Sequence, residues 1–124
     1  MVVVGGGPVG LFLGCCLVQR GVACRVLERE HGPGRHARAI GIHPLSLQFF
    51  RELGLAGQMV REGVPVRHGR AMAGPGLTLG ELAFHRIPGP YPFVLSLPQP
   101  ITETLLEGRL EEQGGAVLRR GLDV

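Results

Sequence analysis

The sequence predicts an α/β fold in which a parallel sheet, opened by a strand, a helix and a second strand, is interrupted by an antiparallel insertion. Three observations carry this. The β-branched run Val2–Val4 stops at a glycine cluster, as a short, fully buried parallel strand does. From Pro8 to Arg20 the chain has few helix breakers and ends at Gly21, with proline suited to a first helical turn and glycine to the position just past the end. A second strand pattern, "ACRVL" over Ala23 to Leu27, then closes at Glu28.

The later elements follow from the same signals. "HPLSLQFFRELG" reads as a helix with Pro44 in its first turn and Gly54 as its stop; Leu45, Phe49 and Leu53 recur at i, i+4, i+8 and are expected to face the core. "VRHGRAMAG" and "LTLGELAF", joined at Pro75-Gly76, read as an antiparallel hairpin, with "PFVLSL" as its third strand. "LPQPITETLLEGRLEEQGG" returns to helix, with Pro100 near the start, Leu106 and Leu110 on one face, and Gly114 and Gly115 as the stop. On this helix Glu103, Glu107 and Glu111 stand at successive i+4 steps, a mildly self-repelling face expected to be solvated. "AVLRRGLDV" is a strand that can rejoin the parallel sheet. The expected organisation is thus 1–63, the start of the main domain; 64–97, a β insertion contributing a substrate layer; and 98–124, a return to the main domain.

Composition narrows the function. At 44% hydrophobic and 19% charged, the chain has a globular balance. All 13 basic residues are Arg, scattered among nine Glu and one Asp, and there is no Trp. That is too diffuse for a nucleic-acid footprint and offers few stacking platforms. Three cysteines without paired spacing, Cys15, Cys16 and Cys24, fit small buried thiols in a reducing compartment better than a disulfide framework. His31, His36, His43, His68 and His85 show no ligand spacing, so no metal is expected. The uncharged start lacks the positive region of a signal peptide, and its glycines and Pro8 would interrupt a spanning helix. The expectation is a cytoplasmic protein that engages neither membrane nor nucleic acid.

Gly5-x-Gly7-x-x-Gly10 carries the chemistry. In this Rossmann-like pattern Gly5 permits the tight turn, Gly7 lets the backbone approach a pyrophosphate, and Gly10, with Gly14 a turn later, lets the helix pack closely. The helix start then offers free N–H groups to phosphate oxygens. Glu28 lies 23 residues after the first glycine, close to the roughly 20 expected of a ribose-binding acid, where a carboxylate can accept hydrogen bonds from ribose hydroxyls and would repel a 2′-phosphate. An adenine dinucleotide without a 2′-phosphate is implied, NAD or FAD. The basic loop "REHGPGRHAR" that follows, in place of another strand-helix alternation, and the antiparallel insertion favour a flavin domain.

Taken together, "VVVGGGPVGL", "VLERE", "RAIGIHPLSLQFFRELGL" and "LPQPITETLLEGRLEEQGG" resemble the FAD-dependent aromatic-ring monooxygenases of the p-hydroxybenzoate hydroxylase type, especially those tailoring polyketides and phenols. The resemblance implies that Gly5, Gly7, Pro8, Val9 and Gly10 wrap the FAD pyrophosphate, that Glu28 binds the adenosine ribose with Arg29 beside it, and that Arg38 lies near the phosphates. It further implies that Gln99 contacts the cofactor and that the Val124 backbone meets adenine. NAD(P)H would be the electron donor and a small aromatic molecule the substrate; no catalytic acid, base or nucleophile is assigned. Leu45-Ser46 stands where the family often has Arg-Thr, and Ile101 where it has polar or basic residues. The family's Asp-Gly and Gly-Asp motifs have no counterpart in these residues. The chain is therefore expected to be a truncated FAD-binding domain that needs its C-terminal portion or self-association, and to be inactive alone. A non-catalytic nucleotide-binding module and another oxidoreductase on the same flavin fold are the alternatives.

Overall fold

A computed structural model gives the arrangement of residues 1–32 and 41–123. In chain order the elements are β1 (Val2–Val4), α1 (Pro8–Gln19), β2 (Cys24–Glu28), β3 (Gly41–Ile42), α2 (Pro44–Glu52), α3 (Ala56–Glu62), β4 (Val64–Val66), β5 (His68–Met72), β6 (Thr78–Ala83), β7 (Val94–Ser96), α4 (Gln99–Gln113) and β8 (Ala116–Arg120). A short 3-10 turn, Phe84–Arg86, follows β6. The chain forms two compact units, Met1–Ala39 with Pro98–Val124, and Ile40–Leu97.

The first unit is the parallel α/β part. Its sheet has the order β1-β2-β8, with Val3 opposite Val26, Val26 opposite Leu118, and Glu28 opposite Arg120. The last strand thus rejoins the first two, as its sequence predicts. α1 ends where Gly21 turns to φ +77°: the Gly21 amide donates to the Val18 carbonyl and the Val22 amide to the Leu17 carbonyl, the paired closure that a glycine past the helix end permits. Gly14 is the tight point of the packing. A Cβ there would stand 3.1 Å from Val26 and 3.2 Å from Leu110, so α1 meets both β2 and α4 at a residue without a side chain. Val3, Leu11, Cys15, Cys24, Val26, Leu106 and Leu110 are buried. Cys15, Cys16 and Cys24 are free thiols; burial pushes Cys15 up to about 11, while Cys16 is only half-buried.

The second unit corrects two expectations. On α2 the buried face is Pro44, Leu47 and Phe50, leading to Leu53, whereas Leu45 and Phe49 are exposed. The helix carries two apolar stripes, and the chain reversal decides between them. Gly54, at φ +79°, lets the Leu55 amide reach the Phe50 carbonyl at 2.9 Å and returns α3 against α2, with Ala56 and Met59 buried. The second correction concerns "PFVLSL". Its strand, β7, does not join the β5-β6 hairpin but lies between β3 and β4 in an antiparallel sheet. Phe93, Leu95 and Leu97 alternate as buried residues, so this strand needs a covered face. The two-stranded hairpin offers none: its residues are almost all exposed.

Candidate functional site

The glycine turn is built as its pattern requires. Gly5 adopts φ +102°, a left-handed conformation that favours glycine, and its amide still donates to the Leu27 carbonyl at 2.8 Å. Gly10 sits so close beneath the turn that a Cβ would lie 1.9 Å from the Gly5 carbonyl oxygen. Gly7 differs: a Cβ there would meet nothing within 4 Å, so its missing side chain leaves open space. Gly7 is the N-cap of α1 and offers no side-chain cap, and Pro8 follows in the first turn. The helix start, with the exposed Val9 and then Gly10, therefore presents backbone rather than side-chain groups.

Glu28, at the end of β2, is tied to this turn. Its Oε2 accepts the Gly6 amide at 2.5 Å and its Oε1 accepts the Glu30 amide at 2.8 Å. The Glu30 amide, aided by the Gly6 amide and the Arg120 guanidinium, holds the carboxyl below its ordinary 4.5 against the opposing effect of burial. A depressed pKa means a stabilisation that is complete above the ordinary carboxylate value and is lost as pH falls through the lowered one. The fold is therefore expected to lose stability below about pH 4.5 more steeply than its Glu28→Gln variant does, which unfolding midpoints from pH 7 to pH 3 would show.

A cleft of about 230 Å³ opens at the carboxyl ends of β1 and β2, lined by Val4, Gly5, Leu27, Glu28 and Arg29 on one side and by Leu122 and Asp123 on the other. Carboxyl ends of parallel strands are where open α/β sheets take ligands. Gly121, at φ +73°, turns the chain after β8, so that the Leu122 amide donates to the Glu28 carbonyl at 3.0 Å. Leu122, Asp123 and Gly6 were not among the sequence-predicted site residues. Only the pairing of β8 with β2 brings the first two here, whereas Gly6 could have been noticed as the third member of the Gly5-Gly6-Gly7 run.

The other predicted positions separate. Arg29 lines the cleft, but its guanidinium forms an exposed pair with Glu30 at 3.6 Å, a contact worth little in water. Gln99 opens α4, half-buried, and donates through Nε2 to Glu103 Oε1 at 2.7 Å. Arg38 and Val124 lie outside the described residues. The expected solvated face of α4 is not one: Glu103 is 4% exposed, Glu107 pairs with Arg120 of β8, and only Glu111 is exposed. The i+4 spacing that suggests repulsion instead gives each of the first two acids its own donor. Among the described residues no cluster suits a metal ion, and no helix is long and apolar enough to cross a membrane.

Comparison with known proteins agrees with this geometry. The family model described as "FAD binding domain" matches residues 1–124. Over 92% of its length the chain is 38% identical to 6-methylpretetramide 4-monooxygenase of Streptomyces rimosus, and over 98% it is 38% identical to rifampicin monooxygenase of Streptomyces venezuelae. It spans 21% and 24% of the lengths of those two proteins. The crystal structure of p-nitrophenol 4-monooxygenase from Pseudomonas putida superposes on 97% of the chain with a TM-score of 0.89 at 27% identity, the match covering 31% of that protein. The glycine turn locked at Gly10, the acid at the end of β2 and a family match over the full length agree: the chain belongs to the FAD binding domain family.

Proposed function

We propose that this chain is the ADP-binding part of a flavin-dependent monooxygenase that hydroxylates a small aromatic or polyketide-type substrate at the expense of NAD(P)H and O2. The observation that supports it best is the contrast between two glycines: Gly10 is closed by the Gly5 carbonyl, while Gly7 faces open space. A pyrophosphate would fill that space, held by the backbone amides at the start of α1 and by the positive end of its dipole. Glu28 accepts the ribose hydroxyls with the lone pairs its two amide bonds leave over, since each carboxylate oxygen carries two. The cleft between Leu27 and Leu122 takes the rest of the adenosine. FAD, when bound, supplies the redox chemistry and oxygen activation; the residues described here bind and orient it.

In the same reading Arg29, Arg38, Gln99 and Val124 complete the cofactor contacts. Residues 1–63 and 98–124 carry the cofactor domain, and 64–97 contribute to the substrate layer. The reaction depends on the remainder of the longer protein or on self-association, and it takes place in the cytoplasm, in keeping with three free thiols.

Titration of the purified chain with FAD, followed by quenching of flavin fluorescence, is the test. FAD and ADP are expected to compete, and 2′,5′-ADP to bind at least roughly tenfold more weakly because Glu28 repels its 2′-phosphate. Absence of binding by both FAD and ADP would overturn the assignment. Oxygen-dependent NAD(P)H oxidation with a hydroxylated product, by the protein carrying this domain, tests the reaction itself.

A further inference from the structure

The acid beside the glycine turn has a cation next to it that it does not hold. Glu28 on β2 stands opposite Arg120 on β8, and residues in register on neighbouring strands project from the same face of a sheet. Opposite charges so placed pair readily, and the Arg120 guanidinium is near enough to help hold the Glu28 carboxyl below its ordinary range. Arg120 nevertheless forms its ion pair with Glu107 of α4, the two side chains being only 18% and 22% exposed. The Glu28 oxygens are left to the Gly6 and Glu30 amides. All three charged residues belong to the first compact unit.

We propose that Glu107 is a positioning residue that draws Arg120 away from Glu28 and so keeps the remaining lone pairs of that acid open to the ribose hydroxyls. The inference rests on the reading that Glu28 binds the ribose. A guanidinium carries five donors in a planar fork and readily takes both oxygens of a carboxylate. Paired directly with Glu28, Arg120 would occupy the acceptor sites that a ribose needs. Anchored on Glu107 instead, it lends Glu28 its positive field without taking its oxygens. The arrangement is invisible in the spacing of the sequence, because Glu107 and Arg120 meet only where α4 packs against β8.

The test compares the chain with its Glu107→Leu, Arg120→Met and doubly substituted Glu107→Leu/Arg120→Met forms, using FAD as the probe below the unfolding transition of each. Glu107→Leu is expected to weaken FAD binding about three- to tenfold, the weight of one hydrogen bond to the ribose. Adding Arg120→Met should then restore most of the affinity, a rescue that a purely structural role for Glu107 does not give. Unchanged or tighter binding by Glu107→Leu, or no recovery in the double form, overturns the proposal. So does a loss in Arg120→Met alone as large as that in Glu107→Leu, which would make Arg120 itself the support of the acid. A second readout needs no ligand: unfolding midpoints of Glu28→Gln, Arg120→Met and their combination, measured with Glu107 present and again with Glu107→Leu. The two effects should nearly add when Glu107 is present and fall clearly short of adding when it is replaced, because Arg120 has then turned to Glu28. Equal coupling in both backgrounds overturns the proposal whatever the FAD affinities. If Glu28→Ala leaves FAD affinity unchanged, the ribose reading itself fails, and the coupling still decides where Arg120 goes.

Discussion

Gly10→Ala is expected to unfold or severely weaken the chain, while Gly7→Ala should leave it folded and impair only nucleotide binding. The added methyl at Gly10 would stand 1.9 Å from the Gly5 carbonyl oxygen, a backbone atom with no rotamer through which to retreat, and 3.5 Å from Val3. Either the turn or the first turn of α1 must move, at a cost of about 3 kcal/mol on the scale of overpacked cores. At Gly7 the same methyl meets nothing within 4 Å, and the residue has an ordinary φ of −77°, so stability should change by less than about 0.5 kcal/mol. Denaturant midpoints and ADP affinities for both variants check this. Equal loss of stability in the two would contradict the geometry, and normal ADP binding by Gly7→Ala would show that the pyrophosphate lies elsewhere.

Glu28→Ala is expected to weaken ADP binding by about 1.5 to 3 kcal/mol, roughly ten- to a hundredfold, as the loss of hydrogen bonds to a charged acceptor does. It also acts on the protein. Gly6 is buried, and its amide donates to Glu28, so the substitution orphans a buried donor at about 1 to 3 kcal/mol; the Glu30 amide, on an exposed residue, can turn to water instead. Glu28→Gln keeps an acceptor for Gly6 and should recover stability more fully than affinity. Affinity measured by calorimetry below the unfolding transition of each variant separates the two effects. Unchanged ADP affinity in Glu28→Ala would remove the ribose assignment.

How much of this could be read in the sequence depends on how local each signal is. The turn, α1 and the placement of Glu28 follow from glycines and an acid at short, fixed spacings, and Gly14 from one further helical turn. The choice between the apolar stripes of α2 depends on where α3 lands after Gly54, which periodicity within α2 does not encode. The partners of β7 depend on which strands reach its two edges, a long-range matter that the alternation of Phe93, Leu95 and Leu97 does not encode. The far wall of the cleft is the least local of all, because Leu122 and Asp123 matter only once β8 has found its register with Glu28 opposite Arg120. For Glu103 the signal was close at hand: a glutamine one turn before an acid can be its donor, although spacing among the acids alone suggests mutual repulsion.

The order β1-β2-β8, with the whole of residues 40–97 between its second and third strands, has a consequence for how the chain acquires its shape. β1, α1 and β2 are joined by short connections and can form early from nearby contacts. β8 can pair with β2 only after a long loop has closed, and the entropy of that closure must be met before any hydrogen bond between them repays it. The glycine turn and its acid therefore belong to the fast, locally encoded part of folding. The wall at Leu122 and Asp123 arrives in the slow phase, so in a refolding time course Gly6 amide protection should precede Leu122 amide protection.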